Sequence, residues 1–526
     1  MATRVLKLGI AAAVATCLLV CARAENAATG QLADAAANRN LPLIRSLLRE
    51  GADPNDRGKY DTPALLWIAR VGDVETAMLL LDAGADPNAV SGLGLGPLHE
   101  AIANGHVEMV RALLDAGADP DLADRTGETA LFMAARQNAT AVVELLIAAG
   151  ADVHAREPVY EQTALHVAAR ESSLDVARLL IARGADVSAV TKQGETPAIR
   201  MPADNRGSKG VGIIRGGWPE HGMRYEIPGA KTPLLYATRT GNLEMVDLLL
   251  AAGADIEAAD ANGVTPLLNA ILNASVASRG VATQHFEIAN RLIELGADVN
   301  AQDWYGETPL WAAVDVRNLD VAGPERDNGI DRDAALQLIE RLLDAGANPN
   351  ARTKEYPPER RFITRLGSLS WVDFTGQTPF LRSALAGDVA SMRLLLDHDA
   401  DPNIATFEGT TPLMAAAGVN WVVNQTFDEG PEQLLAAVEL AHDLGNDINA
   451  VNSMGLSAVH GAANRGSNEI IEYLALNGAD LQRPDNEGRT PAVWAEGVFL
   501  ATHPPVRKPE TLALLDRLVA AQAAGN

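Results

Sequence analysis

The tripeptide Gly-Ala-Asp begins at Gly51, Gly84, Gly117, Gly150, Gly184, Gly253, Gly296 and Gly478, with degenerate copies at Gly346, Asp399 and Gly445. The first four copies are 33 residues apart, and so are Gly445 and Gly478. A fixed period of this length restricts the fold to one small unit stacked many times. Each unit is too small to bury its own apolar face, so neighbours must share a continuous core. That also accommodates 526 residues without one oversized core, which rarely grows past roughly 250–300 residues.

About thirteen residues after each copy comes a second word: Thr232-Pro233-Leu234, Thr265-Pro266-Leu267, Thr308-Pro309-Leu310, Thr411-Pro412-Leu413. The unit from Gly94 to Ala123 shows what the words do. Pro97 opens a helix where a missing N–H is no loss, and Thr in other copies caps it. Leu98, Ala101 and Ile102 make a narrow face, and Asn104-Gly105 breaks the helix. Val107, Val110, Leu113 and Leu114 then recur at helical spacing. Gly117 is the left-handed residue that ends the second helix. Asp119-Pro120 and Asp124-Arg125-Thr126-Gly127 make the turns before the next unit, with the Asp of each Gly-Ala-Asp bonding within its turn.

In period and wording the chain resembles the ankyrin repeat over nearly its whole length. The resemblance implies an all-α solenoid with β-turn fingers. Twelve helix pairs are predicted, starting near Leu32, Leu65, Leu98, Leu131, Leu165, Leu234, Leu267, Leu310, Phe380, Leu413, Val459 and Ala492. It also implies that His99, His166 and His460, which follow the opening word, bond to neighbouring backbone.

The predicted organisation is a signal segment at 1–24, regular repeats over 25–198, a finger insertion at 199–231, interrupted repeats over 232–490 and a capping repeat at 491–526. A second finger insertion lies between Thr353 and Gly376. Four more separate the helices of a pair, at about Asn273–Gln284, Val316–Arg332, Gly418–Pro431 and Gly497–Pro509. Long loops in compact proteins are disproportionately functional.

Lys and Arg number 43 against 68 Asp and Glu, a net charge of −25, which opposes binding to nucleic acid or anionic membrane. Against that background the fingers are basic: 199–231 holds six Lys or Arg to three acids, and 352–365 five to two. Of 22 aromatic residues, 15 lie between Ile199 and Pro431. Arg, Trp and Tyr are enriched at binding hot spots. The candidate partner-binding residues are Arg215, Trp218 and Tyr225 on one finger and Arg360, Arg361 and Trp371 on the other. Trp304 and Trp311 are assigned to the surface between. The competing reading is that insert aromatics pack back onto the stack and basic residues neutralise its acidic body.

Arg4 and Lys7 precede an apolar run, Leu8 to Val20, and Ala22-Arg23-Ala24 offers small residues for cleavage. An export signal removed before Glu25 is predicted, placing the product in the periplasm or outside the cell. Lipid attachment at Cys21 is the weaker alternative, because Val20 stands where a small residue is usual. Removal would leave 40 basic and 68 acidic residues, a charge of −28, and no cysteine, since Cys17 and Cys21 are the only two. No later segment approaches 18 unbroken apolar residues, so no membrane insertion of the mature chain is expected.

Catalytic words are scarce. No Gly-x-Ser-x-Gly elbow occurs, and Gly92-Leu93-Gly94-Leu95-Gly96 is a finger turn without the flanking strands of a dinucleotide loop. No His-x-x-x-His or cysteine pair suggests zinc, and Asp327, Asp331 and Asp333 lack calcium-loop spacing. No cofactor, metal site or catalytic residue is assigned. The expected function is a non-enzymatic exported scaffold that binds protein, mainly through 199–430. An enzyme or accessory subunit with a site built from the insertions, or a binder of a small anionic or carbohydrate ligand, is the alternative.

Overall fold

The computed structural model describes residues 30–194, 229–274, 282–319, 330–354, 373, 375–421, 426–427, 429–498 and 506–525. The chain divides into two compact units, 1–192 and 193–526.

In the first unit the helices are α1 (Gln31–Ala37), α2 (Leu41–Arg49), α3 (Ala64–Val71), α4 (Val74–Asp82), α5 (Pro97–Ala103), α6 (Val107–Asp115), α7 (Ala130–Arg136), α8 (Thr140–Ala148), α9 (Ala164–Arg170) and α10 (Leu174–Ala182). First helices pack in a row, α1 on α3, α3 on α5, α5 on α7 and α7 on α9. Buried alanines such as Ala69, Ala101, Ala134 and Ala168 let those backbones approach closely. Second helices form an outer row, each nine residues long. The second unit continues the scheme with α11 (Pro233–Thr240), α12 (Leu243–Ala251), α13 (Pro266–Ala274), α14 (Ala282–Glu294), α15 (Pro309–Arg317), α16 (Arg332–Asp344), α17 (Pro379–Ala386), α18 (Val389–Leu396), α19 (Pro412–Ala417), α20 (Pro431–Asp443), α21 (Ala458–Arg465), α22 (Asn468–Leu476), α23 (Pro491–Gly497) and α24 (Pro509–Gly525). The result is all-α, with twelve helix pairs among the described residues, and each pair begins where the sequence placed it.

The caps act as their residue types dictate. The hydroxyls of Thr232, Thr308, Thr378 and Thr411 accept from the N–H three residues on, at 3.2–3.3 Å. Where His stands at that third position it reciprocates. Nδ1 of His166 accepts from Thr163 N–H at 3.0 Å, and Nδ1 of His460 accepts from Ser457 N–H at 3.1 Å. His99 does the same for Gly96 N–H at 3.2 Å. Burial holds the imidazoles of His99 and His460 below their ordinary pKa, which keeps Nδ1 an acceptor. These histidines are structural, as the resemblance implied.

Turn aspartates also behave as read. Oδ1 of Asp86 accepts from Asn88 N–H at 2.9 Å. The partner residue was not read from the sequence. Asn55 donates from Nδ2 to Gly84 O at 3.0 Å, and its Oδ1 accepts from Asp86 N–H at 2.7 Å. Asn300, Asn350 and Asn449 make the same clamp onto the following repeat. Recurrence of Asn four residues after the Gly of the tripeptide was the available signal.

Four within-pair insertions have a common outcome. They coincide with the long second helices: α14, α16 and α20 have 13 residues and α24 has 17, against nine in the first unit. Four added residues are about one helical turn. The longer outer helices begin at the C-terminal ends of these insertions, at Ala282, Arg332, Pro431 and Pro509.

Candidate functional site

The second unit departs from the first along its inner row. In α7, Met133 and Arg136 stay outside the buried set, as on a helix with one wet side. Every residue of α15, α17 and α19 is buried. Two of them, α15 and α17, carry charge inward, and the charge is paired. Arg382 on α17 donates from Nε to Asp315 Oδ1 on α15 at 2.6 Å, and from Nη2 to Asn318 O at 2.9 Å. Arg317 donates from Nε to Asp388 Oδ2 at 2.9 Å, and Asn318 Nδ2 donates to the same oxygen at 3.1 Å. Asp388 is also the N-cap of α18, accepting from Ser391 N–H at 3.2 Å and from its hydroxyl at 2.6 Å.

Burial works against the charge of Asp388, but Arg317 and these donors outweigh it and hold the carboxyl below the usual range. At the edge of the cluster Arg332 and Arg317 each donate to the other's carbonyl oxygen, and Arg332 pairs with Glu429. Burial, then the neighbouring Arg317, pushes the Arg332 guanidinium below its ordinary pKa.

The described part of the Gly418–Pro431 insertion lies on this cluster. Thr426 bridges to Leu319, Phe427 N–H donates to Asn318 O at 2.9 Å, and Arg332 stacks on the Phe427 ring at 4.2 Å. Trp421 packs on Leu381, Leu385 and Ala415. Arg465 covers the Trp421 ring at 4.8 Å and donates to Ala416 O and Leu385 O. For these two aromatics the packing-back reading holds. Carboxylates so fully engaged stabilise structure and leave no evident general base.

The predicted contact residues divide three ways. Arg215, Trp218, Tyr225, Arg360, Arg361 and Trp371 lie outside the described residues. Trp304 sits on a finger, 38% exposed, its backbone N–H donating to Asn262 O at 3.0 Å. Trp311 corrects the expectation: it is 1% exposed, inside α15, so it fills core and offers no contact surface. Its place in a fully covered inner helix is the cause. Asp331, weighed as a calcium ligand, instead caps α16 by accepting from the N–H groups of Asp333 and Ala334. Among the described residues no group of three or more His, Cys, Asp or Glu is placed to hold a metal ion, and no helix is long and apolar enough to cross a membrane.

Comparison with known proteins gives matches to the ankyrin repeats (3 copies) family model at residues 32–124, 116–191 and 219–303. The inactive serine/threonine-protein kinase TEX14 of Bos taurus is 31% identical over 90 residues, 17% of this chain and 6% of that protein. Neurogenic locus notch homolog protein 1 of Homo sapiens is 31% identical over 156 residues, 26% of this chain and 6% of that protein. The chain thus spans about 6% of the length of these relatives. The crystal structure of the ankyrin repeat domain of Bcl-3 aligns at 27% identity and a TM-score of 0.36, covering 48% of this chain and 93% of that one. Helix pairs, capping words and family matches agree in both units, and the fold of this chain is the ankyrin-repeat solenoid.

Proposed function

We propose that this protein is a non-catalytic, exported ankyrin-repeat scaffold that binds a protein partner through its fingers, mainly within 199–430. Ankyrin repeats typically mediate protein–protein interaction, and the acidic body disfavours nucleic acid. One observation carries the location. In the second unit the inner helices α15, α17 and α19 are wholly buried, whereas Trp304 keeps a third of its surface in water on a finger. This supports the fingers as the binding edge, with Arg215, Trp218, Tyr225, Trp304, Arg360, Arg361 and Trp371 as the proposed contact residues.

The test is a pull-down from envelope extract at low salt with Arg215, Trp218, Arg360, Arg361 and Trp371 all replaced by Ala. Partner capture is expected to fall while helicity and melting stay near wild type. Full capture would refute the assignment, and catalytic turnover in an activity screen would refute the scaffold reading. Export is tested separately, by mass spectrometry of the native protein. A mature terminus at Glu25 is expected; Met1 retained, or lipid on Cys21, would overturn it.

A further inference from the structure

Two places on each inner helix decide whether its open side meets water. They lie two and five residues after the opening Leu. On α3 they are Trp67 and Arg70, and on α7 Met133 and Arg136; the first of each pair is half-buried and the second exposed. In the second unit the same places hold Arg382 and Leu385 on α17, and Ala415 and Gly418 at α19, all buried.

Part of that cover is supplied by the chain itself. Trp421, three residues beyond Gly418, packs on Leu381, Leu385 and Ala415. Arg465 of α21 closes over its ring at 4.8 Å while donating to Ala416 O at 3.2 Å and Leu385 O at 3.3 Å. Thr426 then makes an antiparallel bridge with Leu319, and Phe427 N–H donates to Asn318 O at 2.9 Å. Glu429 N–H donates to Ala386 O at 3.3 Å. Arg332 stacks on the Phe427 ring at 4.2 Å and pairs with Glu429.

Repeats in a stack ordinarily touch only their neighbours. These residues leave α19, touch the end of α17 and reach the turn between α15 and α16, two pairs back. Extended backbone laid across successive repeats, its rings held under guanidinium groups, has the posture of a bound partner. The fit is imperfect. Trp421 Nε1 is buried with no acceptor among the described residues, and a buried donor left unmade weakens whatever holds it. The Arg332 and Glu429 side chains stay 19% and 25% exposed, so water reaches the ion pair at the other end.

We propose that Trp421, Thr426, Phe427 and Glu429 are a built-in occupant of this inner face, displaced by an extended protein segment that carries two aromatic residues and an acid. One ring of that segment replaces Trp421 under Arg465, and the second replaces Phe427 against Arg332. A carboxylate two residues further on takes the place of Glu429. This surface is separate from the fingers and goes beyond the finger reading.

The probe is a fluorescein-labelled peptide copying residues 419–431, titrated by anisotropy against the full chain. Wild type is expected to bind it weakly, because its own copy competes. The variant Trp421→Ala with Phe427→Ala is expected to bind at least tenfold more tightly. A peptide with both aromatics replaced by Ser should lose that gain. Equal affinity for wild type and variant, no binding to the variant, or equal binding of the Ser peptide would overturn the proposal. Hydrogen exchange on wild type tests it without any substitution. A displaceable occupant opens locally, so the Phe427 amide should exchange at least tenfold faster than the amides of α17; equal protection would mean fixed packing and would also overturn it. The five-fold alanine variant keeps every residue of this site and should take the peptide as wild type does. If that variant loses its partner while the double variant ignores the peptide, this inference falls and the finger reading stands.

Discussion

Arg382 and Asp315, 67 residues apart in sequence, meet inside the second unit with Nε donating to Oδ1 at 2.6 Å, both side chains buried. They join two neighbouring inner helices. Removing one partner strands a buried charge, which costs about 3–5 kcal/mol, whereas replacing both by apolar residues of similar size is far milder. Asp315→Leu should therefore strongly destabilise the second unit, and Asp315→Leu with Arg382→Met should recover much of the loss. Urea unfolding followed by circular dichroism measures both. A double variant as damaged as the single would show that the pair is not energetically coupled.

The second buried pair makes stability depend on acid. Asp388 has a folded pKa below its unfolded value, because Arg317 and the hydroxyl and N–H of Ser391 outweigh the effect of burial. A group depressed on folding stabilises above its unfolded pKa, near 3.9, and that contribution fades as pH falls through the folded value. Wild type should lose melting temperature below about pH 4 more steeply than Asp388→Asn, which should be the less stable of the two at pH 7. Parallel melting curves from pH 7 down to pH 3 for the two proteins would refute this.

How much was legible follows from where each interaction lies in the chain. Helix starts were readable because Thr-Pro-Leu and Gly-Ala-Asp are local signals, each satisfying its own turn. Trp311 was misplaced because a helical pattern assigns faces but not what covers them. Its helix has lost its wet side. The partners of Arg382 and Arg317 lie 67 and 71 residues away, and no period links them. Asp61 went unremarked for the opposite reason. At φ +54° it occupies the position that the repeat fills with Gly94 and Gly127, so the signal was present as a departure from the pattern.

Gly117 tests the register of the stack. Its φ is +88°, and a Cβ placed there would meet nothing within 4 Å. Any cost of Gly117→Val is therefore backbone strain alone, about 1–3 kcal/mol. Gly117→Asn should be milder, because Asn tolerates the left-handed region. A series of melts ordered glycine, asparagine, valine is expected. Valine equal to glycine would contradict the left-handed assignment.

Asp303 should give a pH dependence of opposite sign. Its Oδ1 accepts from the N–H groups of Tyr305 and Glu307, both at 2.9 Å. Burial, joined by the nearby Asp260 carboxylate, pushes its pKa up to about 7. For an acid raised on folding, the folded chain keeps a proton that the unfolded chain has released. Stability is then full below the unfolded pKa of about 3.9 and declines as pH rises towards 7. Asparagine can stand in for the neutral acid, and another finger already uses it: Asn452 Oδ1 accepts from Met454 and Leu456 N–H, both at 3.0 Å. Asp303→Asn should therefore melt near wild type at pH 4.5 and above it at pH 8. A variant less stable than wild type at pH 8 would mean that the folded finger requires the charged carboxylate, contrary to what its burial beside Asp260 implies.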